Sequence, residues 1–184
     1  RNLAQQRIQR LTRKHLALFT PRTFRTGEKA EFKLTSRNIE TVRVRVFRLD
    51  METYFRSTHT ASQFERLDIE VIEPDKTFDS TVPEYLKYKE TERQVGITFQ
   101  EAGAYVVKVD DRELEATTIV LVTDIGMIAK SSRHEFFVVT QNLKQNRVES
   151  GVTVVLSDGK KVIAEGKSGK DGAWRYKGAE LKNS

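Results

Sequence analysis

The sequence predicts an all-β protein built of tandem antiparallel β-sandwiches, with a short helix at the N-terminus. Two patterns support this. Short apolar segments alternate with polar residues at a period of two, and turn-forming residues interrupt them about every 8–12 residues along most of the chain. The chain has 184 residues, which is room for one large domain or two small ones. Its 38% hydrophobic content, with ten Phe, five Tyr and one Trp, is enough to form a core.

The composition narrows the classes of function. Charged residues make up 32% of the chain with both signs mixed, which is typical of a folded domain with a solvated surface. The net charge is +6, and much of the excess lies in the first 48 residues. No apolar run approaches the roughly 18–20 residues of a membrane span. With no cysteine, the chain has no disulfide, cysteine-ligated zinc site or thiol catalysis. It begins at Arg1 rather than Met, which we interpret as a processed protein or an excised piece.

The first predicted element is a helix over residues 2–19, assigned as a region of its own over residues 1–19. Leu3, Ile8 and Leu11 recur at near-helical spacing, arginines occupy much of the remainder, and Pro21 ends the pattern. We expect a packing element, or the last helix of an upstream domain. The alternative is a segment that lies on a membrane surface.

The first β-sandwich is predicted over residues 20–122. Its clearest strand is Val42–Val46, where valines alternate with Arg43 and Arg45, so the valines face a core and the arginines face solvent. Further strands are predicted at residues 30–34, 67–72, 95–99, 104–109 and 116–122. Residues 51–67 could form a short helix or an excursion between strands, and residues 74–94 are predicted to be a long connection.

A second sandwich is predicted over residues 123–184. Its strands are expected at residues 125–130, 135–140, 152–156, 161–165 and 173–176, with a polar loop at 142–150. Asp158-Gly159 has the composition of a tight hairpin turn. The segment has only roughly 60 residues, against about 100 for a full immunoglobulin-type sandwich. We therefore expect that it can lack strands that a longer parent protein supplies.

A search for catalytic motifs leads to the prediction that the chain is not an enzyme. It has no phosphate-binding glycine loop, no HExxH pair and no GxSxG nucleophile elbow. His15, His59 and His134 lie far apart in the sequence, so no metal site is predicted from them. Aspartates that could offer oxygen ligands to calcium stand where turns favour aspartate, at Asp110, Asp111, Asp124, Asp158 and Asp171. No catalytic, cofactor-binding or metal-binding residue is predicted.

Several phrases resemble modules of bacterial α2-macroglobulins. These are Phe24–Ala30 (FRTGEKA, with Thr26 where proline is commoner), Val42–Arg56 (VRVRVFRLDMETYFR), Gly103–Val109 (GAYVVKV), Val120–Lys130 (VLVTDIGMIAK), and Gly151–Val154 followed by Ser168–Gly172. They cover residues 22–176 in the order found in successive modules. The last phrase also occurs in transthyretin-like and carboxypeptidase-regulatory modules.

The resemblance implies immunoglobulin- or fibronectin-like macroglobulin domains of a periplasmic or extracellular protein associated with the cell envelope. Members of this family trap proteases, which cut a bait region before a thioester tethers them. The thioester needs a cysteine near Glu-Gln, and this chain has none. The implied role is therefore structural, with neighbouring domains of the parent and a target protease as partners. No cofactor, nucleic acid or membrane insertion is expected.

Two other functions are considered from the residues alone. A β-sandwich adaptor that binds glycan or peptide would need an exposed aromatic platform, for which Trp174 and Tyr176 are the chosen candidates. Trp174 alternates with Ala173 and Arg175, which is also the pattern of a core residue. Binding of an anion or a nucleic acid would use the arginine-rich strand, with Arg43, Arg45 and Arg48, and should weaken steeply as salt rises. The predicted binding residues are Arg43, Arg45, Trp174 and Tyr176.

Overall fold

The computed structural model describes residues 2–60, 73–179 and 181. Within these ranges the elements are α1 (Asn2–Thr12), β1 (His15–Phe19), β2 (Lys29–Arg37), β3 (Thr41–Leu49), α2 (Met51–Thr58), β4 (Lys76–Thr81), β5 (Glu90–Thr98), β6 (Gly103–Asp110), β7 (Glu115–Val122), β8 (Ile125–Ser131), β9 (Glu135–Asn142), β10 (Arg147–Val148), β11 (Thr153–Ser157), β12 (Val162–Lys167) and β13 (Ala173–Lys177). No helix in these ranges has the length and apolar character needed to cross a bilayer.

The described residues form two compact units. The first contains residues 2–49 and 73–122, and the second contains residues 50–60 and 123–179 with Leu181. The second unit therefore includes α2, although α2 lies between two strands of the first unit in the sequence. The sequence analysis does not predict this placement of α2, and the predicted domain bounds of 20–122 and 123–184 stay a prediction.

The first unit is an antiparallel β-sandwich. One sheet has the order β1-β2-β5 and the other has the order β4-β3-β6-β7. In β2, Phe32 and Leu34 are fully buried, and in β3 Val42 and Val44 are as well, because alternate residues of each strand face the space between the sheets. The prediction of an all-β sandwich fold with a short N-terminal helix is confirmed.

The helix prediction is wrong over residues 15–19. These residues form β1, which pairs with Arg37–Lys33 of β2, and Leu16 and Leu18 pack against the core. The apolar run fits both periods over so short a length, and pairing with β2 decides between them. The side-chain amide of Asn38 donates to the carbonyls of Leu11 (2.7 Å) and Arg13 (3.1 Å), at the end of α1.

The long connection predicted at 74–94 is also wrong in part, because β4 and the start of β5 lie there. Both are edge strands with many exposed polar residues, so they lack the apolar alternation that marks a strand in the sequence. Residues 51–58 form α2. The side chain of Asp50 caps the N-terminus of this helix, because it accepts hydrogen bonds from the backbone N–H groups of Glu52 and Thr53. The strand predicted at 67–72 lies outside the described residues.

The second unit has a sheet centred on β9. β8 pairs with one side of β9, while β13 and the short β10 pair with the other. The short strand β10 lies inside residues 142–150, which the sequence predicts to be a loop, so that prediction is wrong at Arg147–Val148. β11 and β12 form a separate antiparallel hairpin, joined as predicted through Asp158-Gly159, with Gly159 at a φ of 85°. Trp174 of β13 lies so close to Gly166 of β12 that a Cβ there would overlap its indole ring.

Candidate interaction surface

Among the described residues of the second unit, the β8 edge carries the most exposed large apolar side chains. Within the described part of the chain, β8 pairs only with β9, so its other side presents unpaired backbone groups. Met127 is 62% exposed and Ile128 is 70% exposed. Since neighbouring residues of a strand face opposite sides, both faces of the sheet carry an uncovered apolar side chain at this edge.

Pairing across the sheet identifies the two faces. Met127 lies opposite Thr140, which is buried, and shares its face with Val138 and Trp174. This is the inner face, against which the β11–β12 hairpin packs through Trp174. Ile128 lies opposite Val139 on the outer face. The edge therefore exposes one residue that belongs to an incompletely covered core, and one that belongs to the outside of the sheet.

A shallow depression of about 450 Å³ lies at the end of the β8 edge. Its lining includes Lys130, Glu135, Phe137 and Arg175. The guanidinium carbon of Arg175 lies 4.6 Å from the centroid of the Phe137 ring, a cation–π arrangement. We call β8 together with Phe137 and Arg175 the edge surface. Its chemistry suits an extended strand that adds backbone hydrogen bonds to β8 and packs apolar side chains on both faces.

Trp174 and Tyr176 lie together on the inner face of the β9 sheet. Their ring centroids are 6.3 Å apart with an angle of 13° between the planes, and Phe136 meets Trp174 edge-on at 6.3 Å. Both side chains are half-buried. The structure thus places these two predicted binding residues side by side in an aromatic cluster. Their proposed role in binding a glycan or peptide stays a prediction.

Arg43 and Arg45 lie on the outer face of the first unit. Arg45 Nη2 pairs with Asp110 Oδ2 at 2.9 Å and Glu115 Oε2 at 3.3 Å, and Lys108, only 7% exposed, pairs with the same Glu115 at 2.8 Å. The charge of Arg45 is therefore balanced by carboxylates already in the fold. The predicted binding set falls into two groups in two different units.

Arg43 differs from Arg45 in its surroundings. It is exposed and lines a cavity of about 270 Å³ together with Asp79, Asp110, Asp111 and others. In the described part of the chain it has no ion-pair partner within 4.0 Å. The cavity mixes both charge signs, so it has no strong preference for an anion. The role of Arg43 in binding also stays a prediction.

The histidines and turn aspartates that the sequence analysis considered as metal ligands lie at separate places in the fold. No group of three or more His, Cys, Asp or Glu residues in the described ranges is arranged to hold a metal ion. His15 lies in β1, His59 follows α2, and His134 lies in the turn before β9. Asp111 binds Lys14 Nζ at 2.7 Å and caps its own turn, as aspartates in turns commonly do.

Met127 and Ile128 were not singled out from the sequence. The strand was predicted, and its run Ile125–Ala129 lacks polar alternation, which is typical of a strand with apolar contacts on both faces. That run could have suggested an interface. Sequence alone does not reveal which side of a strand stays unpaired, because pairing depends on distant segments.

The comparisons with known proteins agree on the fold. No protein-family model matches the sequence, and no curated protein matches it. A solved structure of native alpha-2-macroglobulin from Escherichia coli, spanning domains MG0-NIE-MG1, matches at a TM-score of 0.66 and 14% identity, covering 88% of this chain and 57% of that one. A structure of the same protein spanning NIE-MG1 matches at a TM-score of 0.62 and 14% identity, covering 91% of this chain and 88% of that one.

This likeness concerns architecture. The chain spans just over half the length of the three-domain structure. At 14% identity the match shows a shared fold of tandem β domains. The fold agrees with the one that the sequence motifs imply.

Proposed function

We propose that this chain is a non-catalytic structural and interaction module of a larger α2-macroglobulin-like protein of the periplasm or cell surface. The edge surface is the observation that carries the proposal. An edge strand with uncovered apolar side chains on both faces costs solubility unless something covers it. An adjoining β-sandwich of the same protein would supply the missing strand and apolar cover. The likeness to two adjacent domains of a solved macroglobulin supports this kind of partner.

Thiol labelling tests whether the edge surface is covered. The chain has no cysteine, so Ile128→Cys places a single thiol on it at the β8 edge. Val148→Cys on β10 is the matched control, since Val148 is also an exposed apolar residue (51%) of the same unit. In the 184-residue chain both thiols should react with a maleimide at rates within about threefold, since accessible thiols of similar pKa react alike.

The same variants are then made in the complete protein that the gene encodes, with the labelled sites located by peptide mass spectrometry. Coverage of β8 should slow labelling of Ile128→Cys by at least about tenfold, because a buried thiol is not accessible to reagent. Labelling of Val148→Cys should change little. Equal rates at both positions in the complete protein would contradict the proposal.

We further propose that the larger protein traps proteases, and this role has a separate test. We expect the complete encoded protein, mixed with trypsin, to suppress cleavage of a large protein substrate while cleavage of a small peptide substrate continues. Enclosure of the protease would exclude only the large substrate. Full activity on both substrates would remove the trapping role and leave the interaction module.

A further inference from the structure

Helix α1 exposes apolar and cationic side chains together. Leu3 is 75% exposed, Ile8 60% and Leu11 49%, although a helix that packs on its own domain normally buries such residues. Arg7 and Arg10 are exposed beside them. The helix has no acidic residue at all. Its apolar side chains therefore have no cover in the described chain, and its charge is of one sign.

The arginines of α1 are also not neutralised by the fold. Within the described ranges, no carboxylate lies in ion-pair distance of Arg7, Arg10 or Arg13. Two cations beside them do have partners, since Lys14 Nζ binds Asp111 at 2.7 Å and Arg37 meets a glutamate at 3.4 Å. The three arginines of this short segment consequently remain available to an external anion.

Two grooves run along this segment of the first unit. One has a volume of about 400 Å³ and the other about 410 Å³, and Arg10 and Arg37 line both. The second groove also includes Leu11 and Tyr88, which is 46% exposed. The backbone N–H of Tyr88 donates to Asn38 Oδ1 at 2.7 Å, and the same Asn38 binds the end of α1. Helix and tyrosine are thus held beside each other.

We propose that α1 and Tyr88 form a docking surface for an anionic phospholipid bilayer, with the helix lying in the plane of the interface. Headgroup phosphates would pair with the free arginines, while the aliphatic side chains enter the acyl boundary. Arg7 stands among the apolar residues, and its long side chain can extend to a phosphate while its methylenes stay in the apolar layer. Tyrosine is favoured at the same depth.

Lipid explains this surface better than an acidic protein does. Apolar and cationic residues are interleaved around α1, and a fluid headgroup layer adapts to such a pattern without matched pockets. Three aliphatic side chains are too few to hold a neutral bilayer, so binding should require anionic lipid. This inference is independent of the edge surface, which lies in the other unit.

Vesicle co-sedimentation of the 184-residue chain tests the proposal. The chain should bind vesicles of 70% phosphatidylcholine and 30% phosphatidylglycerol, and should bind pure phosphatidylcholine weakly. The variant R7Q/R10Q/R13Q should lower the partition coefficient by about 100-fold, at roughly a fivefold loss for each cation removed near the surface. Raising the salt to 0.5 M should weaken wild-type binding, because screening acts on exposed charges.

The control R25Q/R48Q/K76Q removes the same charge from exposed positions at the opposite end of the first unit, where Arg48 pairs with Glu101 and Lys76 lies opposite Val46. It should reduce binding by less than about threefold, since distant charges are screened beyond about 10 Å. Circular dichroism of each variant checks that the fold is retained. Equal losses in both triple variants would overturn the proposal, because binding would then follow net charge alone.

A second variant separates lipid from an acidic protein partner. L3S/I8S keeps every charge and should still lower vesicle binding by about fivefold or more, through loss of apolar contact. Soluble polyglutamate should compete poorly for the wild-type chain. If L3S/I8S binds vesicles like wild type and polyglutamate displaces them, the surface recognises an acidic polypeptide and the lipid proposal is wrong.

Discussion

At the residue scale, the guanidinium of Arg93 lies between the outermost strands of the two sheets in the first unit. It donates from β5 to Ser80 Oγ (2.9 Å), to the Ser80 carbonyl (3.0 Å) and to the Thr81 carbonyl (2.6 Å) of β4. Desolvation by burial lowers the pKa of Arg93. On the opposite side of the sandwich, the backbone N–H of Phe24 donates to the carbonyl of Leu121 at 2.8 Å. Hydrogen bonds thus link the two sheets at both sides of the sandwich.

Replacing Arg93 with Ala should lower the free energy of unfolding by about 1–3 kcal/mol, because carbonyls at the β4 edge lose their donors. Urea unfolding followed by circular dichroism measures this. Arg25→Ala, an exposed arginine of the same unit, should change it by less than about 0.5 kcal/mol. A similarly small effect of Arg93→Ala would show that this bridge does not stabilise the sandwich.

Gly172 and Gly151 provide a matched pair for testing close packing in the second unit. Both have a positive φ, of 72° and 76°. A Cβ on Gly172 would lie 2.6 Å from the carbonyl oxygen of Thr140, whereas a Cβ on Gly151 would meet nothing within 4 Å. Gly151→Ala should lower the free energy of unfolding by about 1 kcal/mol, because alanine is strained in the left-handed region. Gly172→Ala should lower it by about 3 kcal/mol or more, because its Cβ would also clash with the Thr140 carbonyl. The fluorescence of Trp174 reports unfolding of this unit, and equal costs would refute the close approach.

Glu28 should titrate far below an ordinary glutamate. The side chain of Arg22 and the backbone N–H of Arg25 donate to its carboxylate and lower its pKa to about 2. The interaction therefore stabilises the folded state fully above pH 4.5, the ordinary pKa of a glutamate, and this stabilisation is lost as the pH falls through about 2. Carboxyl NMR titration measures this pKa. Arg22→Gln should raise the pKa of Glu28, whereas Arg25→Gln keeps the backbone donor and should change that pKa little. An ordinary glutamate pKa at Glu28 in the wild type would contradict the interaction.

At the element scale, a bidentate ion pair joins α2 to β12 within the second unit. Arg56 Nη1 and Nη2 bind Glu165 of β12 at 3.0 and 2.9 Å, and Arg56 also binds Glu52 within the helix. Arg56→Gln should therefore speed amide hydrogen exchange across residues 51–58. Glu52→Gln removes only the intrahelical pair and should have a much smaller effect. Equal effects would show that the pair with Glu165 does not dock the helix.

This docking should depend on pH. The hydrogen bonds from Arg56 lower the pKa of Glu165 below its ordinary 4.5. A carboxylate with a lowered pKa stabilises the folded state above its unfolded pKa, and this contribution disappears as the pH falls through the folded pKa. The exchange rates of α2 in wild type and Glu165→Gln should thus differ at pH 7 and converge once the pH has fallen below the lowered pKa of Glu165. A difference that persists in acid would contradict this sign.

The elements predicted correctly are those with a strong local pattern. β3 was found because valines and arginines alternate, and the β11–β12 turn because Asp-Gly favours it. The sequence predicts helix where β1 forms, because Leu16 and Leu18 fit either period and only pairing with β2 decides between them. The sequence does not predict β4 or residues 90–94 of β5, because these parts of edge strands carry many exposed polar residues and lack a clear apolar alternation.

At the scale of the whole molecule, the all-β fold was predictable and the interaction surface was not. Arg43 and Trp174 were grouped as binding candidates from sequence, yet they lie in different units. The exposure of Ile128 depends on which strands flank β8, and this is set by segments far away in the chain. The placement of α2 in the second unit is likewise a long-range outcome, which no local pattern encodes.

If an adjoining β-sandwich of a larger protein pairs with β8, the amides of residues 125–131 should be protected from hydrogen exchange only when that sandwich is present. The measurement compares the 184-residue chain with the complete encoded protein. We expect rapid exchange at alternate β8 amides in the 184-residue chain, and at least about tenfold slower exchange in the complete protein, because a neighbouring strand pairs them. Equal exchange in both, whether fast or slow, would contradict the claim.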